Sequence, residues 1–127
     1  MITEDYVSFE IAKLLKEKGF NEPTVCVYHK DGTFDSVTLN AWNDKFITPI
    51  CAPSQSMAMK WLREVHKLSV RPRYDEVEDE KEHLYYKWFF DILSMNPYKT
   101  LVEPTQGYST YEEACEAAIK YCLENLI

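Results

Sequence analysis

Four cysteines (Cys26, Cys51, Cys115, Cys122) and three histidines (His29, His66, His83) are the side chains here best suited to chemistry, so their spacing is the first question. No two cysteines form a C-x-x-C pair. A structural zinc site needs close-spaced Cys or His pairs. The nearest approach to one is Cys26 with His29, three residues apart. On a strand an odd separation sends two side chains to opposite faces, so the spacing predicts a buried Cys26 beside a surface His29. Cys115 and Cys122 share one face of an expected helix, but two turns hold them roughly 10 Å apart, beyond disulfide reach. Cys51 stands in a loop ahead of an expected helix N-terminus, where thiol pKa values are lowered. A small enzyme using Cys51 or a histidine is therefore one reading. Thiol catalysis also needs a histidine close in space, and a packed connector residue is the simpler account of Cys51. No catalytic, metal or cofactor residue is assigned, and no cofactor is expected.

The charged residues form two blocks. Asp75, Glu76, Glu78, Asp79, Glu80 and Glu82 offer oxygens to a hard cation, but they lack the ligand spacing and central glycine of an EF-hand loop. A solvated hairpin tip that discourages edge pairing accounts for them. Lys60, Arg63, Lys67, Arg71 and Arg73 make the densest basic stretch. Beside the strand aromatics Tyr85 and Phe89, the stretch 60–73 suggests a platform for single-stranded nucleic acid as another alternative. The net charge of −7 repels phosphates and anionic membranes, so nucleic acid is disfavoured and no membrane partner is expected. A patch that balances the acidic turn or meets a partner protein fits better. Only three glycines occur, leaving few cheap positive-φ positions for a phosphate-cradling loop.

Short helices and short aromatic strands must position these groups. Thr3 is the expected N-cap of a helix over 4–18, with Val7, Ile11, Leu14 and Leu15 on one face and Gly19 as the stop. Residues 24–29 and 33–39 read as strands around a Lys30-Asp31-Gly32 hairpin turn. The apolar connector 40–52, with Trp42, Phe46, Ile47, Pro49, Ile50 and Cys51, is expected to pack over the core. A second helix opens at about residue 54, with Met57, Ala58, Trp61, Leu62 and Val65 as its buried stripe. Its period changes to alternation within a few residues, so the helix runs almost directly into a strand over 68–74. Pro72 cannot donate to a ladder, which places that strand at an edge or interrupts it. After the acidic turn 75–82, a strand over 84–92 carries Leu84, Tyr86, Trp88, Phe90 and Ile92 on one face and Tyr85 and Phe89 on the other. A short strand over 99–102 is expected in the loop-rich segment that follows. Ser109 with Glu112 forms a capping box, opening a third helix to about residue 124.

The order α-β-β-α-β-β-α gives an α+β fold, a mainly antiparallel sheet with helices packed on one face. A chain of 127 residues fits a single domain, 1–127, large enough to fold without metals or disulfides. The acidic N-terminal residues lack an apolar signal region, and no apolar run approaches a membrane span. A soluble, cytoplasmic protein with reduced thiols is expected.

Three segments in this order carry a resemblance: Ser8–Phe20 (SFEIAKLLKEKGF), Ala52–His66 (APSQSMAMKWLREVH) and Tyr108–Ala118 (YSTYEEACEAA). Together they resemble a family of short uncharacterised proteins of gut bacteria and their phages or prophages. The resemblance implies a phage or mobile-element context and supplies no activity, cofactor or site residue. With no chemistry-specific motif in view, the function expected is a small non-enzymatic protein-interaction or accessory module. Three short helices cannot cover every strand aromatic, so an uncovered strip is expected around Tyr85 and Phe89. A homodimer or an unknown protein partner would bury it.

Overall fold

A computed structural model describes residues 2–45, 48–104 and 106–127. The elements are α1 (Phe9–Glu17), β1 (Thr24–Tyr28), β2 (Phe34–Ala41), β3 (Ile50–Cys51), α2 (Gln55–His66), β4 (Leu68–Glu78), β5 (Leu84–Met95), β6 (Tyr98–Val102) and α3 (Tyr111–Tyr121). A π-helical turn, Cys122–Leu126, extends α3. The fold is α+β, as the sequence pattern indicates. Among the described residues every strand pair is antiparallel, and the strands are shared between two three-stranded sheets, β2-β1-β3 and β4-β5-β6.

Each helix begins where a hydroxyl caps it. Ser8 Oγ accepts from the Ile11 N–H, Ser54 Oγ from Met57 and Thr110 Oγ1 from Glu113. Two starts differ from expectation. Helix α1 begins five residues later than residue 4, and Thr3 caps nothing, because the lead segment is extended. Its backbone is bonded to the start of α2, with the Val7 N–H on Pro53 O and the Gln55 N–H on Asp5 O. Helix α3 is capped by Thr110 instead of Ser109. Thr110-x-x-Glu113 is a second box in the adjacent register, so sequence alone permits both.

Helix α2 ends on Lys67 in the left-handed region (φ 56°), and β4 starts at the next residue. The abrupt change of period therefore marks a real junction. The β1–β2 hairpin turns as expected: Gly32 has φ 89°, and Asp31 Oδ1 accepts from the Thr33 N–H. The β4–β5 ladder runs unbroken from Leu68↔Ser94 to Glu78↔Leu84, passing Pro72↔Phe90. Pro72 is accommodated because β4 is an edge strand. The acidic turn is shorter than 75–82. Asp75 to Glu78 extend β4 opposite Lys87, Tyr86, Tyr85 and Leu84, and the reversal occupies only the residues between Glu78 and Leu84.

One core joins helices and strands. Ile11, Leu15, Phe20, Leu62, Ile92, Ile119 and Leu123 are fully buried in it. Trp61, 5% exposed, meets Phe20 edge-on at 5.5 Å. The α2 stripe is rotated from expectation. Met57 (39%) and Val65 (55%) are exposed, while Gln55 and Met59 are buried. Helix α2 packs on α3 and β4, and Gln55 tolerates that interface because its Nε2 donates to Glu112 O at 3.0 Å. A smaller cluster of Val27, Ala41 and Cys51 holds the first sheet together. The connector does pack inward. Asn43 is buried, donating to Phe20 O and accepting from the Cys51 N–H. Phe46 and Ile47, expected in the same layer, lie outside the described residues.

Candidate interaction surface

Strands β4 and β5 are long. At about 3.4 Å per residue, eleven paired residues reach roughly 35 Å. Helix α3 packs against both strands, and its first residue, Tyr111, meets the Trp88 ring at 5.2 Å, near perpendicular. Tipward of that contact the hairpin has no buried residue. It is an arm whose base belongs to the core.

Side-chain alternation puts Leu84, Tyr86, Trp88, Phe90 and Ile92 of β5 on the face that α3 covers at the base. Tyr74 and Glu76 share that face, paired with Trp88 and Tyr86. On the arm this face becomes an open aromatic ladder. Tyr74 stacks on Tyr86 at 5.5 Å (15° between planes) and lies 5.1 Å from Trp88. Leu84, Tyr74 and Tyr86 are 61%, 59% and 56% exposed. Phe90 stacks on Tyr108 at 6.1 Å, and Tyr108 exchanges backbone hydrogen bonds of 2.8 and 2.6 Å with Trp88. That close approach requires Gly107, where a Cβ would lie 2.7 Å from Lys87 Cβ and 3.2 Å from Phe89 Cζ.

The other face of the arm carries the residues singled out in the sequence. Tyr85 is 41% exposed, and Phe89 is half-buried beside Gly107. The strip around these two is thus partly closed, and the larger open aromatic surface lies on the opposite face, where helix cover runs out. Arg71 and Arg73 share the Tyr85 face. Arg71 is committed: Nε and Nη2 donate to both oxygens of buried Asp91 at 2.8 Å. That hydrogen bonding holds the Asp91 carboxyl below its usual range. Lys60 and Arg63 stay on α2, and Lys67 is its C-cap. Lys60 shares a depression with Glu22 and Glu64, Arg63 is half-buried, and Lys67 Nζ donates to Glu64 O at 3.0 Å. The five basic residues are therefore spread over α2, its C-cap and β4, and only Arg71 and Arg73 join Tyr85 and Phe89.

Where the ladder meets the body, a groove of about 620 Å³ opens between the starts of α1 and α2 and the outer side of α3. Among the described residues its lining includes Asp5, Glu10, Glu112, Glu113 and Glu116 against a single lysine, Lys120. Lys120 is already paired with Glu10 at 3.0 Å. Glu116 is held in place, accepting from the Ser8 N–H at 3.2 Å and Gln55 Nε2 at 3.4 Å. Tyr108 lines this groove and also stacks in the ladder, so the two surfaces are continuous. Sequence reading missed the groove. Its acids come from opposite ends of the chain, and nothing local links them.

The thiols are poorly placed for chemistry. Cys51 sits in β3, not in a loop, with its N–H taken by Asn43. Burial pushes its thiol up, opposite to the helix-terminus effect expected of it. Burial also pushes Cys115 up to about 11 and Cys122 up to about 12. Cys26 is buried and His29 exposed, the latter 3.2 Å from Asp35. His66 lies edge-on to Trp61 at 4.7 Å, its Nε2 buried with no partner among the described residues. His83 is exposed beside Asp79 at 3.5 Å. Among the described residues no group of three or more His, Cys, Asp or Glu is arranged to hold a metal ion. No described helix is long and apolar enough to cross a membrane.

Comparison with family models, with curated proteins and with solved structures finds no match for this chain.

Proposed function

We propose that this protein is a non-catalytic interaction module that offers the aromatic Tyr74–Tyr86 face of its β4–β5 arm to a partner protein. The observation that carries this reading is the exposed ladder of Tyr74, Tyr86 and Leu84, anchored on the body through Trp88 and Tyr111. Rings held against each other in this way lose little rotational freedom on binding. A half-exposed aromatic has roughly 100 Å² left to cover, worth about 2 kcal/mol. Tyr74, Tyr86 and the comparably exposed Leu84 together give about 6 kcal/mol, which barely meets the ~4–15 kcal/mol cost of association. The aromatic face alone therefore supports a weak, reversible contact, and charge must add to it.

A homodimer through this face is the poorer version of the reading. It would set the acidic tip of each arm against the partner's acidic tip or its acidic groove, and like charges across an interface are costly. The enzyme alternative loses support from the raised thiols. The nucleic-acid alternative loses support from the engagement of Arg71 with Asp91 and from the net charge of −7. Four free, buried cysteines fit a reducing compartment, which supports a cytoplasmic location. The resemblance to short phage and gut-bacterial proteins fits an accessory role in a mobile element.

The test is quantitative affinity capture from a host extract with wild type and Tyr74→Ser/Tyr86→Ser, after matched melting curves establish that both fold. Selective loss of one bound protein in the variant is expected. Equal recovery by both overturns the assignment of this face.

A further inference from the structure

We propose that the segment docking on the aromatic ladder is an extended, arginine- or lysine-rich stretch of the partner, lying along the arm with its basic groups reaching the acidic groove. This rests on the interaction-module reading and names the chemistry of its partner. The aromatic face is the site, and charge decides its occupant.

The face is bracketed by carboxylates. Glu76 and Glu78 pair with Tyr86 and Leu84 across the ladder, so their side chains share its face at the tip end. At the other end Tyr111 touches Trp88, and the next two residues, Glu112 and Glu113, line the groove. Glu116 lies one turn further along α3, already oriented by Ser8 and Gln55. The nearby cation Lys120 is taken by Glu10. From Leu84 to Phe90 the ladder runs roughly 20 Å, the reach of about six extended residues. Such a segment would set alternate side chains down on the rings. Arginine suits them: its planar head stacks on aromatic faces and also forks onto carboxylates. A wholly apolar occupant would strip water from Glu76 and Glu78 without replacing it. An acidic segment, a nucleic acid or a second copy would meet like charge.

The experiment uses the full chain and three fluorescent eight-residue peptides. In the first, arginine alternates with leucine. In the second, glutamate replaces arginine, and in the third, serine does. Binding is read by polarisation at low and high salt. The arginine peptide is expected to bind at least about tenfold more tightly than either other peptide. Its affinity should fall as salt screens the carboxylates. Glu76→Gln/Glu78→Gln/Glu113→Gln should weaken it about fivefold or more and flatten the salt dependence. Tyr74→Ser/Tyr86→Ser should weaken all binding. If the serine peptide binds equally well and only the tyrosine variant loses it, the basic occupant is overturned while the module reading stands. If the arginine peptide binds the tyrosine variant as well as wild type, the groove is acting without the ladder and the assigned site is overturned. No binding of any peptide at millimolar concentration overturns the proposal. So does a dimer in sedimentation that Tyr86→Ser dissociates, because the second copy would then be the occupant.

Discussion

Truncating Trp61 to Ala probes the join between α2 and the rest of the core. The ring is 5% exposed, edge-on to fully buried Phe20 at 5.5 Å and to His66 at 4.7 Å. Removing a buried indole costs about 3–5 kcal/mol when the surroundings relax only partly. The lost aromatic contact accounts for roughly 1 kcal/mol within that. A domain of this size has about 5–15 kcal/mol of total stability, so the variant should remain folded but weakened. With a urea m-value of about 1.5–2 kcal/mol per M, the midpoint should fall by roughly 2 M. Far-UV circular dichroism is the suitable readout, because the mutation removes a fluorophore. Phe20→Ala is a companion that should cost a similar amount, and the double variant should cost less than the sum. A Trp61→Ala loss below about 1 kcal/mol would refute the packing described for α2.

Other outcomes follow from single contacts. Arg71→Gln should leave Asp91 buried beside a neutral partner, and the resulting stability deficit should depend on pH. The folded Asp91 pKa is depressed by Arg71, so its stabilisation is present above the unfolded value of about 4 and is lost as pH falls through the folded value. The melting-temperature gap between wild type and variant should thus be widest near neutrality and close below about pH 4; a constant gap contradicts this. Gly107→Ala forces a Cβ to within 2.7 Å of Lys87 and should cost about 1–3 kcal/mol by loosening Tyr108 from β5. A change under about 0.5 kcal/mol in denaturant melts would show that the close approach is dispensable. A thiol reagent at pH 8 should label none of the four cysteines until urea unfolds the chain, since all are buried. A rapidly reacting Cys51 in native protein would revive the enzyme reading.

Much of the fold can be read locally. Asp31-Gly32 specifies its hairpin, Ser54 its cap, and the switch of period at His66–Leu68 the helix-strand junction. Alternation over 84–92 separates two faces correctly. It does not say which face is covered, because the covering helix lies twenty residues further on and reaches only the base of the arm. Exposure of Tyr74 and Tyr86 follows from that overhang, a relation between the lengths of β4, β5 and α3. For the same reason Met57 and Met59 exchange roles: amphipathicity fixes the stripe only to within one residue, and the packing of α2 on α3 and β4 decides the rotation. The groove is the least legible feature. Glu10 and Glu112 each sit in the first turn of a different helix, at opposite ends of the chain, and only tertiary packing brings them together.

In the proposed function a partner sits on the Tyr74–Tyr86 face of the arm. An NMR titration of labelled protein with the arginine-leucine peptide tests it directly. Shifts are expected at the Trp88 indole N–H and at the amides of Tyr74, Glu76, Tyr86, Tyr111 and Glu112, with Arg73, Tyr85 and Phe89 changing least. Shifts centred on Arg73, Tyr85 and Phe89 instead would contradict the claim.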